Sequence, residues 1–141
     1  MAELPPANGS VIRYPYLWKW QEARGESEGR KSRPVCLVLS IAKGDKTHLV
    51  LLAVSGTPPM TGQSAIEVPQ LERKRAGLRD WKDAWVTVSE YNYDILQDSY
   101  YLEPDPEILG RFSTAFLAKI AAAFRPFVKS QSARVERTGP A

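Results

Sequence analysis

The chain has 141 residues with 19 Lys or Arg, 16 Asp or Glu and one His, giving a net charge of +3 at pH 7. This length suits one domain with its own core, and the charge is too small to establish a nucleic-acid partner by itself. A single cysteine excludes an intrachain disulfide, and the longest apolar runs are too short to span a bilayer, so we expect a cytoplasmic protein with no membrane partner.

The first part of the chain contains one predicted strand and a charged loop. Residues 1–8 have few large apolar side chains and should be flexible. The segment "SVIRYPYLW" (residues 10–18) reads as a strand, with Pro15 at an edge or a bulge because proline has no N–H to give. A charged loop is expected from Lys19 to Arg33.

The stretch "GESEGRKSRPVCLVLS" (residues 25–40) raises the question of a phosphate-binding loop. The P-loop of an NTPase has four residues between its glycines, then Gly-Lys-Ser/Thr, and a helix that follows. Here three residues separate Gly25 from Gly29, Arg30 precedes Lys31, and the residues that follow favour a strand. A P-loop is therefore excluded.

Two apolar segments, "PVCLVLSIA" (34–42) and "THLVLLAVS" (47–55), are typical of strands buried on both faces. Gly44 and Asp45 supply a turn between them, which predicts a hairpin. The position of Cys36 within the first of these strands favours a buried structural thiol over a nucleophile.

Beyond the hairpin, two prolines and two glycines predict a loop at "GTPPMTGQ" (56–63). Two further strands, "AIEVP" (65–69) and "AWVTVSEYNYDI" (84–95), flank a charged segment at 70–83 that is predicted to be helical. Five predicted strands with one insertion favour a small, curved, mostly antiparallel sheet or barrel with helical support.

The clearest predicted element is a C-terminal helix with one apolar face. Asp105 is placed as its N-cap, Pro106 suits the first helical position, and Pro126 marks its end. We expect one domain at residues 9–128 and a flexible basic tail at 129–141. The apolar face is formed by residues spaced three or four apart: Ile108, Phe112, Phe116, Ile120, Phe124 and Phe127.

Several of these segments resemble the MazF/PemK family of toxin endoribonucleases. The resemblance rests on "GSVIR", on "RPVCLVLS" after the charged loop, on "LLAVSG", and on "AIEVP" and "WVTVSEYN". It covers most of residues 9–92, and the terminal helix extends it to about residue 128. It implies a mainly β fold with helices, an SH3-like small barrel of five or more mostly antiparallel strands plus a C-terminal α-helix.

Carried over residue by residue, the resemblance places Arg33 on the family's catalytic arginine and Ser55 on its catalytic threonine. The change from Thr to Ser keeps the hydroxyl but loses the methyl group that restricts its rotamer. The segment "SEYN" (89–92) departs from the Asp-Gln-x-Arg that relatives often carry, so Thr87 and Ser89 replace charged residues there. The resemblance implies that any catalysis rests on Arg33, Ser55 and the first loop.

The chemistry implied is metal-free cleavage of RNA without a cofactor. It requires a base for the 2'-hydroxyl proton, charge stabilisation for the phosphorane, and an acid for the departing 5'-oxygen. Arg33 suits the second role because its planar fork binds two phosphate oxygens, and Pro34 holds its backbone extended. Glu26 and Glu28 are the available carboxylates for the base, although an unperturbed Glu titrates near about 4.3.

The substrate-binding residues implied beside this centre are Trp20, Arg30, Lys31 and Thr57. Trp18 and Trp20 both offer planes for base stacking, and we expect at most one of them to contact RNA. For His48, at the start of an apolar strand, a structural role is favoured over a catalytic one.

These features predict the toxin of a type II toxin-antitoxin system that cleaves single-stranded RNA sequence-selectively to a 2',3'-cyclic phosphate and a 5'-hydroxyl. The resemblance implies a homodimer and an antitoxin whose acidic, flexible segment covers the active groove. Two alternatives stay open, a non-catalytic SH3-like binding module and a CcdB-like poison of DNA gyrase, because a fold does not fix an activity.

Overall fold

Eight β-strands and three α-helices form the described part of the chain, which is residues 6–27, 29, 31–102 and 106–138 of the computed structural model. The strands are β1 Ser10–Tyr14, β2 Arg33–Lys43, β3 Lys46–Ser55, β4 Ala65–Glu67, β5 Trp85–Thr87, β6 Tyr91–Ile95, β7 Ile108–Arg111 and β8 Arg134–Glu136. The helices are α1 Lys19–Ala23, α2 Gln70–Arg75 and α3 Thr114–Val128. Each of these helices is shorter than a membrane-crossing helix has to be.

The strands pair into one mostly antiparallel sheet. Its path runs β4-β5-β3-β2-β1-β7, and β3 also pairs with β6, which in turn pairs in parallel with β8. The mainly β class with helices is therefore confirmed. The pairings among the described strands leave β4 and β7 at the two ends of an open path, so they do not form a closed barrel.

The predicted hairpin of β2 and β3 is confirmed and forms the centre of the sheet. Lys43 pairs with Lys46, and Gly44 takes the positive φ of 63° that the tight turn requires. The loop at 56–63 is confirmed as well. Cys36 is fully buried, and burial raises the pKa of its thiol to about 12, as expected for a structural cysteine.

The first strand is shorter than predicted. β1 ends at Tyr14, because Pro15 cannot extend the ladder, and helix α1 occupies the start of the predicted loop. Gln21 favours this helix because its side-chain oxygen accepts the Trp18 N–H at 2.9 Å. Trp18 and Trp20 therefore lie at the start of a helix and not on a strand.

The predicted strand at 84–95 is wrong as a single element, since it forms β5 and β6 with an interruption at residues 88–90. The Val88 N–H donates to the Ser64 carbonyl, and the Ser64 N–H donates to Ser89 Oγ at 2.9 Å. These bonds hold residues 88–89 against Ser64, pairing with β3 resumes at Asn92, and Glu90 between them is 5 % exposed.

The predicted start of the C-terminal helix is also wrong. Residues 108–111 form β7, which pairs with β1, and Ser113 caps α3 by accepting the Phe116 N–H at 3.1 Å. Glu72 fixes this cap, because it accepts both the Ser113 N–H and the Ser113 hydroxyl. Asp105, the predicted cap, lies outside the described residues, and Pro106 lies before β7.

The apolar face of α3 packs against the sheet much as expected. Phe116, Ile120 and Phe124 are buried in the core on that face, while Ile108 belongs to β7 and is 54 % exposed. The helix continues past Pro126 to Val128 instead of ending there.

The segment expected to be a loose tail carries β8. Val135 is fully buried beside β6, and Arg137 is 2 % exposed. The Arg137 guanidinium donates to the Pro15 carbonyl at 2.7 Å and to Asn92 Oδ1 at 3.0 Å, and stacks over Tyr101 at 3.9 Å. Residues 1–5 and 139–141, the outer parts of the two predicted flexible ends, lie outside the described residues.

Candidate functional site

The hairpin brings Arg33 and Ser55 together at one edge of the sheet. Val35 pairs with Ala53, and continuing this antiparallel register by two residues sets Arg33 opposite Ser55 on the same face. Both residues, with Thr57, line two adjoining cavities of about 180 and 480 Å³. Arg33 and Ser55, the two residues expected from the sequence, therefore lie at the boundary between the two cavities.

The smaller cavity is called the tryptophan chamber here. Trp18 and Trp20 line it from α1, and Pro58, Met60 and Gln63 line it from the loop after β3. The larger cavity is called the basic chamber. Its other lining residues include Arg13, Lys31, Gly56, Gly77 and Trp81.

The Arg33 guanidinium is held by an aromatic ring and not by a carboxylate. Its Cζ lies 5.3 Å from the centroid of the Trp18 ring, and its Nε is buried without an acceptor among the described residues. Burial lowers the pKa of Arg33 from its usual value and Tyr16 opposes this effect, but an arginine stays protonated at neutral pH. A half-buried cation that lacks an anionic partner among the described residues is a favourable site for a phosphate oxygen.

The two hydroxyls beside Arg33 are joined to each other. Ser55 Oγ lies 3.0 Å from Thr57 Oγ1 and accepts the Thr57 N–H at 3.1 Å. This short turn after β3 fixes both side chains on the rim that the chambers share. Each hydroxyl retains hydrogen-bonding capacity for a ligand.

The other predicted residues are placed in different ways. Trp20 lines the tryptophan chamber, while Lys31 lines the basic chamber. Glu26 is described but lines neither chamber, and Glu28 and Arg30 lie outside the described residues.

His48 lies away from the site. It stands seven residues before Ser55 on the same strand, which is roughly 23 Å along β3. Its Nδ1 is hydrogen-bonded to the Tyr93 hydroxyl, and the two rings meet edge to face at 5.5 Å. The structural role favoured from the sequence agrees with this placement.

Glu90 is a buried carboxylate that the sequence reasoning missed. It accepts the Lys19 N–H at 2.9 Å and the Tyr16 hydroxyl at 3.2 Å, and Gln63 Nε2 approaches it at 3.5 Å. It thus connects α1, which carries Trp18 and Trp20, with the opposite wall of the tryptophan chamber. The signal in the sequence was an acidic residue within the apolar pattern of "WVTVSEYNYDI".

The charge of Glu90 should make stability depend on pH. Burial raises its pKa, although the bonds from Lys19, Tyr16 and Gln63 oppose the rise. A raised folded-state pKa means that the stabilising contribution is complete below the ordinary value and is lost as pH rises through the folded one. We therefore expect the free energy of unfolding of Glu90→Gln to rise relative to that of the wild type as the pH increases above the ordinary Glu pKa of about 4.3, measured by urea unfolding over a pH series.

The same replacement at the exposed Glu67, Glu67→Gln, serves as the matched control. A constant difference between the wild type and Glu90→Gln across this pH range would contradict the assignment.

Neither chamber offers an evident proton acceptor. Among the described residues that line them there is no His, Asp or Glu. Nor do the described residues contain a group of three or more His, Cys, Asp or Glu that could hold a metal ion. The described lining of the two chambers thus places the Arg33 cation beside two hydroxyls and aromatic rings.

No protein-family model matches this chain, and no curated protein or solved structure matches it either.

Proposed function

We propose that the protein is a MazF/PemK-like toxin of a type II toxin-antitoxin system. In this proposal it is a cytoplasmic, metal-independent endoribonuclease that cleaves single-stranded RNA sequence-selectively to a 2',3'-cyclic phosphate and a 5'-hydroxyl. The open sheet would correspond to the SH3-like small barrel of that family, and the protein would act as a homodimer that a cognate antitoxin inhibits.

One observation carries the proposal: Arg33, without a carboxylate partner among the described residues, stands opposite Ser55 and Thr57 on the rim of both chambers. A guanidinium with two neighbouring hydroxyls is a suitable donor set for a phosphodiester. The half-buried Trp20 beside it suits an unpaired base, because stacking accepts any base, whereas Trp18 is only 7 % exposed and packs in the core. The resemblance in sequence points to the same two residues, Arg33 and Ser55.

In the proposed reaction the 2'-oxygen of the substrate attacks the adjacent phosphorus and the bond to the 5'-oxygen breaks. Arg33 binds the two non-bridging oxygens and stabilises the charge that accumulates on them in the phosphorane. Ser55 donates a hydrogen bond to one of these oxygens. Glu26 lines neither chamber, so Glu28 is the first-loop carboxylate that takes the 2'-hydroxyl proton in this proposal, and water protonates the departing 5'-oxygen.

A second candidate function is non-catalytic binding of RNA or another polyanion. The specific observation in its favour is the absence of His, Asp and Glu among the described residues that line the chambers. A binding module needs only the cation, the hydroxyls and the aromatic planes.

The test is to incubate the purified protein with a long RNA in EDTA and to map the ends. We expect discrete internal cuts that carry 2',3'-cyclic phosphates. Intact RNA that is nevertheless retained by the protein would favour the binding module, and intact RNA with inhibited DNA gyrase would favour a CcdB-like poison.

Ser55→Ala should lower the cleavage rate about tenfold, because one hydrogen bond of about 1.4 kcal/mol to the phosphate is lost. Ser55→Thr, which keeps the hydroxyl, should retain most of the activity. Ser40→Ala, on the same hairpin but outside both chambers, is the matched control. Equal rates for Ser55→Ala and Ser40→Ala would remove Ser55 from the reaction.

A further inference from the structure

We propose that the basic chamber binds one complete nucleotide of the RNA substrate. This nucleotide is the one adjacent to the phosphate bound at Arg33, so a single RNA strand occupies both chambers. This inference rests on the proposed function and adds a residue set, Trp81 with Arg13, that the sequence did not indicate. It defines the substrate as a strand that passes through both chambers, which requires an internal phosphodiester.

The size and continuity of the basic chamber support this assignment. Its volume of about 480 Å³ falls within the range of small-ligand pockets, whereas the tryptophan chamber, at about 180 Å³, falls below it. The two chambers share Arg33, Ser55 and Thr57. When a phosphate of the RNA binds at these three residues, the RNA on one side of that phosphate therefore lies inside the basic chamber.

The charge of the basic chamber suits a nucleic-acid backbone. Arg13, Lys31 and Arg33 line it, and the described lining residues include no carboxylate. Arg13 does contact Glu107, at 3.4 Å, but the two side chains are 50 % and 61 % exposed. Such an exposed ion pair contributes little, so Arg13 can exchange it for a phosphate.

Trp81 supplies a stacking surface in this chamber. Its ring lies against Gly56, where an added Cβ would stand 3.6 Å from Cζ3, so the ring borders the turn that carries Ser55 and Thr57. Trp81 is half-buried and therefore retains exposed ring surface. A base that stacks on this ring would follow the phosphate bound at Arg33.

The segment that carries Trp81 is held against the sheet by its backbone. Gly77 has a φ of 77°, and a Cβ at this position would overlap the Leu109 carbonyl of β7. The Trp81 N–H donates to the Leu78 carbonyl at 3.1 Å. Trp81 is thus pre-positioned, which reduces the entropy lost when a base binds.

The experiment uses RNA fragments around a cut site mapped in EDTA, with a 2'-O-methyl group at the reacting sugar to prevent cleavage. One fragment extends on both sides of the phosphate, and two shorter ones stop at it from either side. Binding is measured by fluorescence anisotropy. We expect Trp81→Ala to raise the Kd of the full fragment about 5- to 150-fold and to leave one of the two short fragments unaffected.

Trp81→Phe should restore most of the affinity, since it keeps a stacking plane, and Arg13→Ala should weaken the same fragments without removing an aromatic ring. Tyr100→Ala, at an aromatic residue 72 % exposed and outside both chambers, is the matched control.

If Trp81→Ala and Arg13→Ala both bind every fragment as tightly as the wild type does and still cleave RNA, this inference is overturned and the proposed function stands. A wild type that neither cleaves nor retains the long RNA would overturn the two together.

Discussion

Arg33→Ala is expected to reduce the rate of RNA cleavage at least about a hundredfold, which is the loss typical when one preorganised donor to a developing anion is removed. Three described residues line both chambers, and Arg33 is the only arginine or lysine among them. No other described cation therefore lies where the two chambers meet. The rate should be measured under single-turnover conditions on the RNA cut in EDTA.

Folding should survive this substitution. Arg33 forms no ion pair with a described residue, and its Nε has no described acceptor, so alanine leaves few polar groups unsatisfied. Arg33→Lys keeps the charge but loses the two-pronged geometry, and it should recover only part of the rate. Lys43→Ala, at the turn end of the same strand, is the matched control. Cleavage by Arg33→Ala at the wild-type rate would refute the proposed mechanism.

Arg137→Ala is expected to lower the free energy of unfolding by about 3 kcal/mol or more, because hydrogen bonds from a charged group each contribute about 1.5–3 kcal/mol. The guanidinium donates to Asn92 Oδ1, which is fully buried with it, and to the carbonyl of the half-buried Pro15. Loss of the Arg137 guanidinium would also remove a positive charge that interacts with Asp94, which is fully buried. Urea unfolding at neutral pH measures this effect.

Arg125→Ala, on the exposed side of α3, is the control and should change stability by less than about 0.5 kcal/mol. Arg137→Lys should be intermediate, because it keeps the charge but cannot reach both acceptors. A loss below about 1 kcal/mol for Arg137→Ala would show that the network around it contributes little to stability.

The central hairpin could be predicted from the sequence because its signals are local. Two apolar runs and a Gly-Asp turn determine both strands, and the resulting register sets Arg33 opposite Ser55. The apolar face of α3 was equally evident from its spacing. This is why the sequence located the centre of the candidate site.

The surrounding parts of the site depend on contacts between distant segments. Three side chains are positioned by partners far away in the sequence: Glu90 by Tyr16, Trp81 by Gly56, and Arg137 by Pro15. The periodicity of the sequence does not reveal such contacts. The start of α3 is a similar case. Asp105-Pro106 and Ser113 are both acceptable helix starts, and the bonds from Ser113 to Glu72 favour the second.

The bond between Arg137 and Pro15 joins residues 122 positions apart, and Pro15 immediately precedes the segment that carries Trp18 and Trp20. At about 5–20 residues per second, a ribosome needs roughly 6 to 24 seconds to reach Arg137 after it has added Pro15. A nascent chain therefore lacks the contact that secures this wall of the site throughout most of its own synthesis. If the proposed function holds, we expect the chain to stay inactive on the message from which it is being translated.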